Sequence, residues 1–439
     1  MNRLVLALLI AIFATCGGCY DKVELNQLAV ADLMAIDLSD DGRLLVSMQF
    51  VIPGELSNPS QGTGKVDSAP FYVIEAVGAT LPEAFSFLQA KLPRRLFTSH
   101  IRVIILGEEL AKAGIAPLFD GLTRIRELRI TMDVVLARGK AADLLRADPS
   151  FESLPANALS NLLTQRVVPQ RTIKDIAISL VGVGIDPFIP VVGLADRVEP
   201  LSPGMHIDDS TGPQRTGSEF EITGIAIFRD DRMVGFVPRD VARGVSWLIN
   251  DVATVTTSIP WPPKETSEER VPGAPQERDP IEQDRPPGHG PESPGAGMHQ
   301  PSQISQIILR AESKIAIEVR DGEIVVVVKT RSIDDVMSNQ AGLDLADPTV
   351  IPKLEAAIAA QIEDRMRAIL SIAQKELQAD IFGFGAHVHR NHPKVWREVK
   401  ADWHTVFSQL KVEISVDVEV KRVGLTNRPA SLRENQLIR

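Results

Sequence analysis

His100-Ile101-Arg102-Val103-Ile104-Ile105-Leu106-Gly107-Glu108-Glu109-Leu110-Ala111 holds the change of period that decides the fold. Ile101 to Leu106 is an apolar run of strand length, interrupted only by Arg102, as a buried strand reads. After Gly107 the pattern becomes helical, and Gly114 stops it. A second helix follows over Ala116 to Ile125, and a strand over Ile130 to Leu136. Upstream, Leu44 to Phe50 alternates Leu44, Val46, Met48 and Phe50 against Ser47 and Gln49, and Ala31 to Asp37 and Phe71 to Val77 also read as strands. Thr80-Leu81-Pro82-Glu83 is a capping box that opens a helix carrying Leu81, Ala84, Phe85, Leu88 and Leu92. Helical patterns at Lys140 to Ala147, Leu154 to Leu163 and Thr172 to Leu180 complete an alternation that predicts a mixed α/β sheet domain over 19–200.

The second half reads differently. Pro and Gly mark a separator from Glu199 to Gly217. Phe220 to Phe228 and Met233 to Val237 then flank Arg229-Asp230-Asp231-Arg232 as a hairpin. A helix over Pro238 to Ile249 and a strand over Val252 to Ser258 complete a β-rich middle domain, 215–262. Residues 262–302 hold ten prolines and five glycines in 41 positions, with almost no large apolar side chain. Such a composition cannot bury enough surface to offset its ordering entropy, so 263–302 is expected to be a disordered insertion between two strands of one sheet.

Beyond it, Ile304 to Val319 and Glu323 to Lys329 pair across Asp321-Gly322, a dipeptide suited to a tight hairpin. Pro352 to Ala379 is the longest helical pattern, expected to cover the last sheet with its stripe Leu354, Ile358, Ile362, Met366, Ile369, Ala373 and Leu377. Val412 to Lys421 alternates apolar and polar residues like an antiparallel strand with one wet face. These elements predict an antiparallel α+β domain over 303–428. The chain as a whole is expected to be multi-domain, a mixed-sheet N-terminal domain followed by β-rich and α+β domains.

At the N-terminus, Arg3 precedes an apolar run from Leu4 to Ala14, followed by Thr15-Cys16-Gly17-Gly18-Cys19. The run is too short to span a bilayer, which takes about 20 apolar residues. It resembles a bacterial lipoprotein signal, residues 1–18, cut so that Cys19 becomes the acylated first residue, although Cys16 stands where that pattern prefers Leu or Val. Two or more acyl chains on Cys19 would give stable membrane attachment. Cys16 and Cys19 are the only cysteines, so the exported domains are expected to lack disulfides. The formal charge of −10 becomes −11 once Arg3 leaves, a balance that argues against non-specific nucleic-acid binding.

No motif carries catalysis. Gly182-Val183-Gly184-Ile185-Asp186-Pro187 lacks the third glycine of a phosphate loop, and Pro187 obstructs the helix that should follow. Gly62-Thr63-Gly64-Lys65 lacks the leading glycine of a P-loop, and Asp208-Asp209-Ser210-Thr211-Gly212 sits in a polar linker. His387, His389, His392 and His404 invite a zinc hypothesis, but no Cys, Asp or Glu stands at a usual ligand spacing to His387, His389 or His404. They read instead as polar positions around a helix start, so no metal, cofactor or catalytic residue is assigned.

Several blocks together resemble one family. Cys19-Tyr20-Asp21 with Glu24-Leu25, Lys91-Leu92-Pro93-Arg94-Arg95 with the 100–111 stretch, and Ala379-Asp380-Ile381-Phe382-Gly383-Phe384-Gly385 with His392-Pro393-Lys394-Val395-Trp396, Trp403 and Phe407 occur in the order found in the Ger(x)C family. Trp is usual there where Tyr20 stands. The resemblance implies the lipoprotein C subunit of a spore nutrient germinant receptor, palmitoylated and non-catalytic. It would sit on the extracytoplasmic face of the inner spore membrane beside two integral membrane partners, the A and B subunits. The competing expectation is a lipid-anchored solute-binding protein of a transporter or an anchored enzyme. A solute-binding protein should show two similar α/β lobes, which this chain does not.

Overall fold

A computed structural model describes residues 24–52, 70–196, 218–261 and 303–422. They fall into two compact units. The first comprises the described parts of Met1–Arg243 with Ser371–Gln409, and the second those of Gly244–Leu370 with Leu410–Arg439.

In the first unit the order is β1 (Leu28–Leu38), β2 (Leu44–Val51), β3 (Phe71–Gly78), α1 (Leu81–Ala90), β4 (Arg95–Phe97), β5 (Val103–Leu106), α2 (Glu108–Ala113) and α3 (Ala116–Arg124). It continues with β6 (Asp133–Ala137), α4 (Ala141–Leu144), α5 (Pro155–Thr164), α6 (Ile173–Val181), β7 (Phe188–Asp196), β8 (Ser218–Arg229) and β9 (Arg232–Pro238). The sheet runs β3-β2-β1-β5-β6-β7-β8-β9, with β4 also paired to β1. Its centre is parallel, β1 to β5 to β6 to β7, and both flanks are antiparallel. The four residues of β5 are all buried, as their apolar run required. Met34, Ile36, Phe50, Ile104, Leu106, Val134 and Phe228 from the strands close a core with Leu81 and Leu88 of α1 and Phe119 and Leu122 of α3.

The Thr80 cap forms in a variant geometry. The Thr80 hydroxyl accepts from the Glu83 amide, while Glu83 returns to the amide of Ala79 at 2.6 Å rather than to that of Thr80. The fully reciprocal capping box is at Thr172 and Asp175, at the start of α6.

The hairpin β8–β9 forms as the sequence suggests, with Asp230 at a positive φ of 56° in its turn. It is not part of a separate middle domain over 215–262, however. β8 pairs antiparallel with β7 from Phe188↔Ile227 to Asp196↔Ser218, and Ile222, Ile225, Ile227 and Phe228 are buried there. A hairpin has two edges, and the apolar residues of β8 gain more by extending a large sheet than by standing alone.

In the second unit the elements are α7 (Arg239–Leu248, whose first residues belong to the first unit), β10 (Thr256–Pro260), β11 (Gln303–Arg320), β12 (Glu323–Asn339), α8 (Val350–Ser371) and β13 (Lys411–Arg422). The sheet order is β10-β11-β12-β13. The expected insertion lies outside the described residues, and its flanks pair antiparallel down to Pro260↔Gln303. Asp321 and Gly322, both at positive φ, turn β11 into β12. α8 reaches both edges of this sheet. Gln361 donates to the Ser258 carbonyl of β10, and Glu355 accepts from the Val420 amide of β13.

Two expectations need correction. β13 runs parallel to β12, from Val325↔Lys411 to Asp335↔Arg422, not antiparallel. Alternation reports burial of one face and carries no information about direction, and the chain between the two strands is long enough for the crossover that parallel pairing needs. Also, residues 380–407 do not belong to the α+β domain placed at 303–428. After α8 and a π-helical turn at Ile372–Leu377, the chain re-enters the first unit through the short helices Phe384–Asn391, Pro393–Val399 and Trp403–Gln409. No helix among the described residues is long and apolar enough to cross a membrane.

Candidate functional site

The residues densest in sequence signal, 380–407, meet a loop nearly two hundred positions earlier. Gly184, at φ +67°, lies so close to Gly385 that a Cβ on it would sit 2.6 Å from the Gly385 backbone. The Gly184 carbonyl accepts from the Ala386 amide at 3.0 Å. Phe382, Phe384 and Phe407 pack with ring centroids 5.3 to 6.3 Å apart, and Trp396 and Trp403 lie 5.3 Å apart. Gly383, at φ +73°, makes the left-handed turn that starts the first helix of this block, a conformation open to glycine at little cost.

Two buried carboxylates tie the segments together. Asp186 accepts from the Asp380 amide on Oδ2 at 2.7 Å and from the Asp230 amide on Oδ1 at 2.8 Å. Its own amide donates to the Asp380 carbonyl at 2.8 Å. Asp380 accepts from the amides of Phe382, Phe384 and Gly385 and from the Trp403 indole N–H, at 2.8 to 3.3 Å. Burial pushes the Asp380 carboxyl up to about 7, with the neighbouring Asp186 adding to the rise and the Gly385, Phe384 and Trp403 donors opposing it. His404 Nε2 lies 3.2 Å from Asp186 Oδ2, and this hydrogen bond is the main cause that raises the imidazole pKa.

Asp186, Asp230 and His404 each offer a ligand atom within 4.8 Å of the others, the only such trio among the described residues. Both Asp186 oxygens already accept backbone N–H groups, so the trio's chemistry is that of a knot joining loop 182–186, the β8–β9 turn and the helical block. A cavity of about 390 Å³ opens beside it, lined by Asp186, Asp230, Trp396, Lys400, Trp403 and His404 among others.

A second and larger cavity, about 940 Å³, lies along β1. Leu28, Val30, Val51, Ile52, Pro93 and Leu154 supply apolar lining, and Asp32 is its buried acid. Asp32 is 2% exposed, and neither carboxylate oxygen has a hydrogen-bond partner. It sits where the β1–β2 register slips between Ala31 and Leu33, the bulged position of the strand. Bulges re-aim side chains, often beside functional sites. Burial raises the Asp32 carboxyl to about 7; the nearby amides of Asp32 and Leu33, without hydrogen-bond geometry, and the Arg102 charge pull the other way.

Comparison with known proteins shows where this architecture belongs. Residues 21–194 match the model described as spore germination protein N-terminal domain, and 223–424 match spore germination B3/GerAC like, C-terminal. The chain belongs to the Ger(x)C family. Among the relatives, putative spore germination protein YfkR of Bacillus subtilis (strain 168) is 26% identical over 98% of each chain. Spore germination protein KC of the same organism is 23% identical over 94% of this chain and 93% of its own. A crystal structure of the GerBC protein has the same fold, with a TM-score of 0.50, 18% identity and coverage of 91% of this chain and all of that one.

For this Ger(x)C chain, Cys19 lies outside the described residues, as do Gly62–Lys65 and Asp208–Gly212. The four histidines do not converge. His389 packs against Trp396 with centroids 5.8 Å apart, while His404 alone meets Asp186 and Asp230. In the segment Gly182–Pro187, Gly184 serves close approach to Gly385, while Gly182 lies against the Ile178 carbonyl and the Ile185 side chain. Sequence reading passed over Asp186, Asp230 and Asp32. Asp380 stands 194 positions from Asp186, and no local pattern signals that pairing. Asp32 carried one available signal, a lone acid between apolar residues of a buried strand.

Proposed function

We propose that this chain is the lipid-anchored, non-catalytic C subunit of a spore nutrient germinant receptor. Residues 1–18 act as the signal peptide, and Cys19 carries the lipid on the extracytoplasmic face of the inner spore membrane. Two integral membrane subunits, A and B, are its partners. The observation that carries this reading is the match of both family models in order, with relatives named as spore germination proteins aligned from end to end. The anchor would also place the fold. β1 starts nine residues beyond Cys19, which limits its distance from the membrane surface to roughly 30 Å. Tethering on that scale raises the effective concentration of the first unit near membrane partners.

Deleting the gene from its spore-former tests the role. Loss of the germination response to at least one nutrient is expected, and an unchanged response to every nutrient in a strain freed of related receptors contradicts it. The anchor is tested by Cys19→Ala followed by membrane fractionation. The protein should leave the membrane fraction still folded, and a Cys19→Ala chain that sediments with membranes refutes lipidation at that residue.

A further inference from the structure

Asp32 has no part in the knot at Asp186 and Asp380. Its oxygens are buried without a donor, in the wall of the cavity of about 940 Å³ along β1. A buried carboxylate left unpaired is expensive, and native proteins keep such groups where something else completes them. Leu28 and Val30 precede Asp32 on β1 and line the same cavity, an apolar path of roughly 13 Å from Leu28 to Asp32.

The two ends differ in charge. At one end sits the Asp32 carboxylate, with Arg102 attached through its amide to the Asp32 carbonyl at 3.0 Å and its guanidinium exposed. At the other end Arg95 pairs with Leu28, so Arg94 stands beside the start of the path. Arg94 is exposed, lines the cavity and has no ion-pair partner among the described residues. Tyr72 and His100 supply the remaining titratable lining. The acid is deep and the free cation shallow, with hydrocarbon between them.

We propose that this cavity binds a small amphoteric molecule whose ammonium pairs with Asp32, whose apolar body lies over Val30 and Leu28, and whose anionic end reaches Arg94. The separation of the two charges is the distinguishing feature. A molecule with its ammonium and carboxylate on one carbon cannot satisfy both ends of the path. The proposal does not rest on the membrane assignment, because every residue named in the site lies in the first unit.

Isomers test this without changing composition. The probes are ε-aminocaproate, norleucine and caproate, titrated calorimetrically into the full chain reconstituted in lipid nanodiscs. The first two share every atom and differ only in charge separation, and caproate lacks the ammonium. ε-Aminocaproate should bind, with norleucine and caproate at least about tenfold weaker, the scale of one lost charge-assisted hydrogen bond. Asp32→Asn should remove the preference for ε-aminocaproate over caproate. Arg94→Gln, at an exposed position that cannot disturb the core, should weaken ε-aminocaproate several-fold. No heat with ε-aminocaproate, equal binding of either competitor, or binding indifferent to Arg94→Gln in a folded chain would overturn the proposal.

Discussion

The 380–407 knot and the β1 cavity each contain an aspartate buried in the same unit, and burial raises both to about the same pKa, about 7. They differ in their partners. Asp380 collects four donors, three backbone amides and an indole. Asp32 collects none. Desolvation alone therefore does not say what a buried acid is for. A fully satisfied carboxylate is a structural tie, whereas one left unsatisfied is a cost that folding alone does not explain.

The largest expected effect comes from breaking the satisfied side. Asp380→Ala would leave four N–H groups unpaired in a dry pocket, and each such group costs about 1–3 kcal/mol before relaxation. A loss of about 3–5 kcal/mol in chemical denaturation is expected, enough to threaten folding of the first unit. A loss under 1 kcal/mol would mean the knot is incidental.

A smaller effect sharpens the knot's edge. His404 is about one-third exposed and hydrogen-bonds Asp186, so its contribution is screened and should not exceed about 1 kcal/mol. Its native pKa is raised above the unfolded value, so the protonated ring is favoured in the folded state. The contribution is complete below pH 6.5 and disappears as pH rises through the native pKa. Melts of the wild type and His404→Ala should differ at pH 5.5 and converge at pH 9. A gap that widens with pH would contradict the assigned pairing.

The same contrast explains what was readable in the sequence. The strand–helix alternation from Ile101 to Leu136 gave the first sheet because apolar period directly reports burial. The turns at Asp230 and at Asp321-Gly322 were legible because positive φ restricts residue choice. Direction was not legible, so β13 came out parallel. Membership was not legible either. β8 and β9 joined the first sheet, and 380–407 returned to the first unit, through contacts with partners far away in sequence. Gly383 and Gly385 did mark a tight place, but what crowds them, Gly184 and the Trp403 ring, lies outside any local window. Asp32 needed the bulge, which depends on how β2 registers against β1.

One paired measurement tests the contrast most directly: thermal melts at pH 8 of Asp32→Asn and Asp380→Asn. Both replacements keep the shape and remove the charge. At Asp380 the new amide escapes the same charge burial, but it must point its NH₂ at two existing donors and leave them unpaired, so a net loss of stability is expected. At Asp32 no donor is lost, and the native pKa of about 7 lies above the unfolded 3.8. The wild-type carboxyl therefore loses stability as pH rises from about 4 to 7, and the amide escapes that loss. Asp32→Asn should thus be more stable than wild type at pH 8, by about 1–3 kcal/mol after allowing for its own buried amide, with the advantage gone at pH 4. Opposite signs at the two positions are the predicted result. Destabilisation of similar size at both would contradict the account.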